Sequence, residues 1–252
     1  MSEKVLVVTG GGRGIGAAVC RLAAERGYAL VINYASNAEA AEALVASIKD
    51  AGGEAVAVKG DVSQPADVDR IFAAADKLGR LVGLVNNAGV VGPTQRVEDM
   101  PVERIVRMLA VNVTGSFLCA QAAIRRLSTR HGGKGGSIVN LSSAAAKLGA
   151  PGVYVDYAAA KGAIDTFTVG LALEVAGDGI RVNAVRPGMI DTEIHASGGE
   201  PGRAQSVGPS LPMHRAGTAG EVANAVIWLL SDEASYCAGT ILSVTGGRAI
   251  LP

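Results

Sequence analysis

Seven short runs rich in β-branched residues alternate with longer alanine-rich stretches along this chain, and no other feature narrows the possible folds as much. The runs are Lys4–Thr9, Ala29–Tyr34, Glu54–Val58, Leu81–Asn86, Ser137–Ser142, Ile180–Val185 and Thr240–Val244. Most are continuously apolar, as strands buried on both faces must be. The intervals supply helical patterns at Gly14–Arg26, Ala38–Ala51, Pro65–Lys77, Pro101–Leu127, Tyr154–Ala176 and Ala219–Leu230. Pro65 and Pro101 suit first-turn positions, where a missing N–H costs nothing. The alternation predicts an α/β fold with a parallel sheet covered by helices on both faces.

No linker, charge block or repeat divides the 252 residues, so one domain spanning 1–252 is expected. A long irregular segment, Met189–Gly217, follows the sixth run and contains Gly198-Gly199-Glu200-Pro201-Gly202. Its length and its place after the carboxyl end of a strand predict a substrate lid. Lys plus Arg equals Asp plus Glu at 23 each, so no net field draws nucleic acid or an anionic membrane, and a small-molecule partner is expected. Cys20, Cys119 and Cys237 are odd in number and form no C-x-x-C pair, which argues against a disulfide framework or zinc. His131, His195 and His214 have no metal-ligand spacing, so no catalytic metal is expected. The longest apolar run, Ala225–Leu230, is far short of a membrane span, and Met1 leads into a strand with no signal-peptide pattern. A cytoplasmic protein is expected.

Thr9-Gly10-Gly11-Gly12-Arg13-Gly14-Ile15-Gly16 follows the first run and opens the first helix. Glycines here permit a sharp turn and close approach of a pyrophosphate, and the helix N-terminus supplies unpaired N–H groups with a partial positive charge. The strand–turn–helix context makes dinucleotide binding the better reading than an ordinary tight turn. NAD-binding folds place an Asp or Glu roughly 20 residues beyond this turn to hold the ribose 2′-OH. Asn33 stands there instead. Without a repelling carboxylate a 2′-phosphate fits, with Arg13, Asn33 and Ser36 to bind it. NADP is therefore expected over NAD, against the alternative that Arg13 is a solvated loop residue.

Tyr157-Ala158-Ala159-Ala160-Lys161 sets a phenol and an ammonium on one helical face. A phenol titrates near ~10, and an adjacent cation favours its phenolate. Taken alone, this spacing is more often an amphipathic helix with a snorkelling lysine. Other motifs in order change that reading: Thr9–Gly16, then Asn86-Asn87-Ala88-Gly89, then Ser143 ahead of Tyr157 and Lys161, then Arg186-Pro187-Gly188. With these, the chain resembles a classical short-chain dehydrogenase/reductase almost end to end.

The resemblance implies a single NAD(P)-binding Rossmann domain with a seven-stranded doubly wound sheet, usually in a homotetramer. It also implies a catalytic set that falls on Asn112, Ser143, Tyr157 and Lys161. Tyr157 would exchange a proton with the substrate oxygen while the nicotinamide exchanges hydride with its carbon. Ser143 would hold that oxygen. Lys161 would bind the nicotinamide ribose and lower the Tyr157 pKa, and Asn112 would hold a water linking Lys161 to solvent. Ser142 competes with Ser143 but aligns less well, and Tyr154 suits a pocket wall. For the cofactor, the match implies Gly10, Gly14, Ile15 and Gly16 in the turn, and Asp61 and Val62 beside the adenine. It further implies Asn86, Ala88 and Gly89 along the adenosine and ribose, and Pro187, Gly188, Ile190 and Thr192 around the nicotinamide and phosphates. Asp61 could equally cap the helix begun by Pro65, and Asn86 could fasten adjoining strands.

The resemblance is to glucose-dehydrogenase-like members and to 3-oxoacyl-carrier-protein reductases. Leu171-Ala172-Leu173-Glu174-Val175 has Leu173 where the carrier-binding enzymes carry a basic residue, although Arg125, Arg126 and Arg130 offer another basic surface. In the lid, Asp191, Thr192, Glu193, His195 and Arg203 suit a polyhydroxylated substrate. A sugar dehydrogenase is thus one expectation, a 3-oxoacyl-thioester reductase a second, and a non-catalytic NADP-binding sensor or scaffold subunit a third.

Overall fold

Burial on both faces of the central strands organises the molecule, and it follows from their unbroken apolar sequences. The computed structural model describes residues 4–249, so both ends of the expected 1–252 domain lie outside the described residues. Strands β1 (Lys4–Val8), β2 (Ala29–Tyr34), β3 (Ala55–Lys59), β4 (Arg80–Asn86), β5 (Gly136–Leu141), β6 (Ile180–Pro187) and β7 (Ile241–Val244) form one parallel sheet in the order β3-β2-β1-β4-β5-β6-β7. The expected doubly wound, Rossmann-like sheet is found, with strand ends shifted by at most two residues.

Along the chain the strands are joined through helices α1 (Gly14–Glu25), α2 (Ala38–Asp50), α3 (Pro65–Leu78), α4 (Val102–Leu109), α5 (Gly115–Leu127), α6 (Ala145–Leu148), α7 (Val155–Val175), α8 (Ile194–Ser197), α9 (Arg203–Val207) and α10 (Ala219–Leu230). Alternation along β1 divides the core: Leu6 and Val8 face Val19, Cys20, Val226 and Ile227 of α1 and α10, whereas Val5 and Val7 face Ile71, Phe72, Ala123 and Leu127 of α3 and α5. Pro65 opens α3 as expected, and Pro101 sits one residue earlier than expected, at the N-cap of α4. Asn37 caps α2 by accepting from the Ala40 N–H, and Thr218 and Glu221 form a capping box on α10.

The expected single helix from Pro101 to Leu127 is interrupted. Ala110–Thr114 forms a π turn, whose one extra residue per turn re-aims the side chains that follow. By length and composition, Val102–Leu127 is also the one helical stretch among the described residues able to cross a membrane. In this fold the apolar face of α5 lies on β4 and α3 instead. The sheet order reverses direction between β1 and β4, and the crevice at the carboxyl ends of those two strands is where such folds bind ligands.

Candidate active site

The turn after β1 is held open by polar side chains beneath it. Thr9 Oγ accepts from the N–H groups of Asn87 and Ala88, each at 3.0 Å, and Asn87 Nδ2 donates to the carbonyls of Thr9 and Gly10, each at 2.9 Å. Gly10 has φ of +59°, which a side chain would strain, and a Cβ there would lie 2.9 Å from Ala88 Cα. No side chain caps α1, so its first N–H groups face the cleft. That cleft, about 1500 Å³, is bounded by Arg13, Ser36, Asp61, Val62, Ala88 and Gly89. Glycines, an uncapped helix end and an exposed arginine suit a dinucleotide, so the residues present fit the group that this fold implies.

Two expected contacts are corrected. Asn33 is buried, and its Oδ1 accepts from the Gly10 N–H at 3.2 Å. Its Nδ2 donates to the carbonyls of Val58 and Gly60 at 3.3 and 2.9 Å. With its amide committed beneath the turn, it offers no donor to a 2′-phosphate. Asn86 likewise points away from the cleft, because side chains alternate along β4. Its Nδ2 donates to Asn140 Oδ1 at 2.9 Å and to the Ser116 carbonyl at 3.2 Å, so it fastens β4 to β5 and α5. Asp61 does not cap α3. It accepts from the Ser63 N–H and pairs with Arg107 at 2.7 Å, while its own N–H donates to Asp67. Asn87 and Arg107, both on the cleft, were not singled out by sequence, although Asn87 lies inside the Asn86–Gly89 motif.

A second cavity, of about 890 Å³, joins the first at Ile15, Asn87, Gly89, Thr192 and Ile194. Ser143, Tyr157 and Lys161 line it. β5 delivers Ser143 just past its end, and α7 delivers Tyr157 and Lys161 one turn apart on the same face. The start of α7 is fixed from α4 by Arg104, whose Nε and Nη2 lie 2.8 and 3.1 Å from the two oxygens of Asp156, beside Tyr157. Ser143 Oγ accepts from the Ala145 N–H at 3.1 Å, and Ser142 Oγ donates to the Lys161 carbonyl at 3.3 Å, which sets Ser142 behind the site. Tyr154 stands edge-on to Tyr157, with ring centroids 5.5 Å apart, and walls the cavity as expected.

Asn112 lies in the π turn and is fully buried. Its Nδ2 donates to the carbonyls of Val90 and Met108, each at 3.0 Å, and its Oδ1 accepts from the Val90 N–H at 3.3 Å. Gly89 separates it from Lys161: a Cβ on Gly89 would lie 2.8 Å from Asn112 Oδ1 and 3.6 Å from Lys161 Nζ. Lys161 is buried, and its Nζ donates to the Leu141 carbonyl at 2.7 Å while lying 5.6 Å from the centre of the Tyr157 ring.

Electrostatics here run against one expectation. Burial pushes Tyr157 up to about 12, partly opposed by a hydrogen bond from Ser143, with nearby Tyr154 adding to the rise. Burial pulls Lys161 down to about 8, opposed by Asp165 one turn along α7. The Lys161 ammonium sits over the ring and bonds to a carbonyl, so desolvation, not the Lys161 charge, governs the phenol.

The segment expected to be irregular contains α8 and α9 and is pinned at its base by a parallel bridge between Ile190 and Gly217. Met189, Ala204 and Leu211 form its small core, too short a set to show as periodicity. Its contacts with the body include Arg13 Nη2 donating to Ser197 Oγ at 3.3 Å, Thr94 donating to Glu200, Arg215 pairing with Glu221 of α10, and the Arg203 guanidinium 5.4 Å from the centre of the Tyr154 ring. Ile190 and Thr192 border the cavity with Pro187 and Gly188.

Nucleotide-type crevice, half-buried Tyr157 beside buried Lys161 and adjoining serine together define a dinucleotide-linked oxidoreductase. The chain belongs to the short-chain dehydrogenase/reductase family. The profile of the family described as Enoyl-(Acyl carrier protein) reductase matches residues 10–249. The oxidoreductase YgfF of Escherichia coli is 52% identical over 245 residues, covering 97% of this chain and 99% of that protein. Glucose 1-dehydrogenase 2 of Bacillus subtilis is 36% identical over 253 residues, covering 100% and 97%. The solved short-chain dehydrogenase/reductase of Serratia marcescens superposes with a TM-score of 0.88 at 34% identity, covering 98% of each chain. One of these descriptions names an acyl carrier and another a sugar, so similarity fixes the family and not the substrate.

Proposed function

We propose that the protein interconverts an alcohol and a carbonyl compound, with NADP preferred over NAD. The observation that carries this is the meeting of Ser143, Tyr157 and Lys161 in one cavity that opens into the dinucleotide cleft. When bound, the nicotinamide supplies or accepts the hydride. Tyr157 passes a proton to or from the substrate oxygen, and Ser143 holds that oxygen by a hydrogen bond. Lys161 binds the nicotinamide ribose, and Asn112 orders the wall beside Lys161 through Val90. Gly10, Gly14, Ile15 and Gly16 hold the pyrophosphate; Asp61, Val62, Ala88 and Gly89 hold the adenosine half; Pro187, Gly188, Ile190 and Thr192 hold the nicotinamide half. Gly16→Ala is the substitution that tests the pyrophosphate assignment.

Support for NADP comes from the mouth of the cleft. Its border from Asn33 to Asn37 carries no carboxylate, and Arg13 and Ser36 are exposed there. Wild-type kcat/KM is expected to be higher with NADP. Arg13→Ala should lower the NADP value by about ten- to a hundredfold, the worth of one hydrogen bond to a charged group at ~1.5–3 kcal/mol, and leave the NAD value little changed. A wild-type preference for NAD would refute the assignment.

Lys161 gives a pH dependence with a definite sign. Held at about 8, it is charged below that value and loses its charge as pH rises through it. Nucleotide affinity is therefore expected to weaken above about pH 8, read by titration calorimetry across the range, and Lys161→Gln should flatten the curve. A wild-type curve that is already flat would count against the ribose contact.

The cavity favours an apolar-bodied alcohol or ketone over a sugar. Of the five lid residues that suited a sugar, Asp191 accepts from Gln205 and Glu193 faces the nucleotide cleft. The apolar part of the cavity lining is Val91, Leu141, Tyr154, Met189 and Ile194, and Thr192, His195 and Arg203 of the segment after β6 line it as well. We further propose a cytoplasmic homotetramer, in which the exposed Val102, Val106 and Phe117 of α4 and α5 and Val169 and Leu173 of α7 are covered by partner subunits.

A further inference from the structure

The first turn of α7 carries Tyr157, and no side chain of α7 secures it. Tyr154 at the N-cap makes no side-chain hydrogen bond to the turn, and an uncapped helix end is prone to fray. Asp156, beside Tyr157, is tied to α4 instead. Its two oxygens accept from Nε and Nη2 of Arg104 at 2.8 and 3.1 Å. The third nitrogen, Nη1, donates to the Pro93 carbonyl at 2.7 Å and to Gln95 Oε1 at 2.9 Å. The Arg104 and Asp156 side chains are 10% and 4% exposed, so little water reaches the pair to replace these bonds.

We propose that Arg104 is a positioning residue of the reaction: one guanidinium sets the hydroxyl of Tyr157 in register with the wall against which the substrate lies. This rests on the reading of Tyr157 as the group that moves the proton. The wall is the segment that follows β4. Val91, Gly92 and Thr94 line the same cavity as Tyr157, while Pro93 and Gln95 supply the acceptors for Nη1. Gly92 lies against the guanidinium. A Cβ there would stand 2.7 Å from Arg104 Nε and Cζ, so a bare Cα is what lets the arginine reach all its acceptors. The Gln95 N–H also donates to the Val153 carbonyl at 2.9 Å, just ahead of α7, and Gln95 Nε2 donates to the Asp99 carbonyl at 2.7 Å.

The segment after β6 rests on this wall in turn. Thr94 donates to Glu200, and a Cβ on Gly198 would lie 3.2 Å from Val91 Cγ1 and 3.3 Å from the Gly92 carbonyl oxygen. Movement of Arg104 would therefore displace both the proton-carrying turn and the wall that seats the substrate. A planar fork can hold a carboxylate, a carbonyl and an amide oxygen at fixed relative positions, which the point charge of an ammonium cannot.

The test uses the full-length protein, a panel of aliphatic and one-ring ketones with the reduced nucleotide it turns over, and a separate nucleotide titration. Asp156→Asn keeps the shape but breaks one arm of the fork, and should lower kcat by about tenfold with the ketone KM little changed. Gln95→Ala leaves Asp156 tied and loosens the wall, and should raise that KM by about fivefold, the worth of one hydrogen bond, with kcat little changed. Arg104→Met should do both, lowering kcat by about 10- to 100-fold, and all three variants should bind nucleotide with near wild-type affinity and stoichiometry. Arg104→Lys keeps the charge without the fork, so its kcat should stay nearer to that of Arg104→Met than to wild type.

Wild-type kcat and KM in Arg104→Met or Arg104→Lys would overturn the inference. So would losses in Asp156→Asn and Gln95→Ala that fall alike on kcat, KM and the nucleotide-binding fraction, as an ion pair serving the fold alone would give. If Arg104→Met does not fold, the opposite kcat and KM effects of Asp156→Asn and Gln95→Ala decide. A wild-type protein that binds nucleotide but reduces no ketone sinks the catalytic reading and this inference with it.

Discussion

Tyr157→Phe should lower kcat by about 10²- to 10⁴-fold, the range of a positioned acid or base, and leave nucleotide affinity nearly intact. The substitution removes one hydroxyl and keeps the ring. Phenylalanine can still stand edge-on to Tyr154 and beneath the Lys161 ammonium, 5.6 Å from the ring centre, so the cavity wall is preserved. Loss of rate then reports the proton and not a collapsed pocket. Turnover followed at the reduced nicotinamide band, with binding titrated separately, makes the measurement. A variant within tenfold of wild type would refute the role of Tyr157, and a wild-type protein that binds nucleotide but turns over no alcohol or carbonyl would favour the sensor or scaffold alternative.

Gly16→Ala should have its largest effect on the nucleotide. A Cβ at this position would lie 2.6 Å from the Gly10 carbonyl oxygen, 2.6 Å from Asn87 Nδ2 and 2.9 Å from Gly11 Cα. Two of those neighbours are backbone, and the third is the amide that holds the turn through the Thr9 and Gly10 carbonyls. No flexible side chain can move aside, so the turn itself must shift away from the α1 N-terminus. Overpacking of this kind costs about 1–3 kcal/mol, a fall of several degrees in Tm, and nucleotide affinity should drop by tenfold or more. Wild-type affinity and Tm together would show that the turn does not depend on a bare Cα there.

The sheet was legible because burial on both faces forces strands such as Val5–Val8 and Leu30–Ile32 to be apolar throughout, and that constraint is local. Ser143, Tyr157 and Lys161 were legible only through the ordered motifs that carry the family resemblance, since one helical turn between Tyr157 and Lys161 says little by itself. Asn33 and Asn86 show where local reading stops. Both lie near the carboxyl ends of their strands, where a ligand contact is reasonable, but the pleat turns each side chain inward to partners 27 and 54 residues away. Arg107 is not legible in sequence, because its relation to Asp61 spans 46 residues and depends on how α4 lies across the cleft.

The segment after β6 marks the same division. Its position after β6 and its glycines were readable, but α8 and α9 are of four and five residues, too short for any periodic signal. Its contacts depend on Thr94 meeting Glu200 across 106 residues and on Arg203 settling over Tyr154.

The sequence by itself therefore determined the fold class and the family resemblance, and through that resemblance pointed to Ser143, Tyr157 and Lys161, because strand burial and ordered motifs are properties of neighbouring residues. Only the tertiary structure decided which polar groups remain free to meet a ligand. It committed Asn33 and Asn86 to the scaffold and put Gly89 between Asn112 and Lys161, because a hydrogen-bond partner is chosen by proximity in space, which the order of residues does not state.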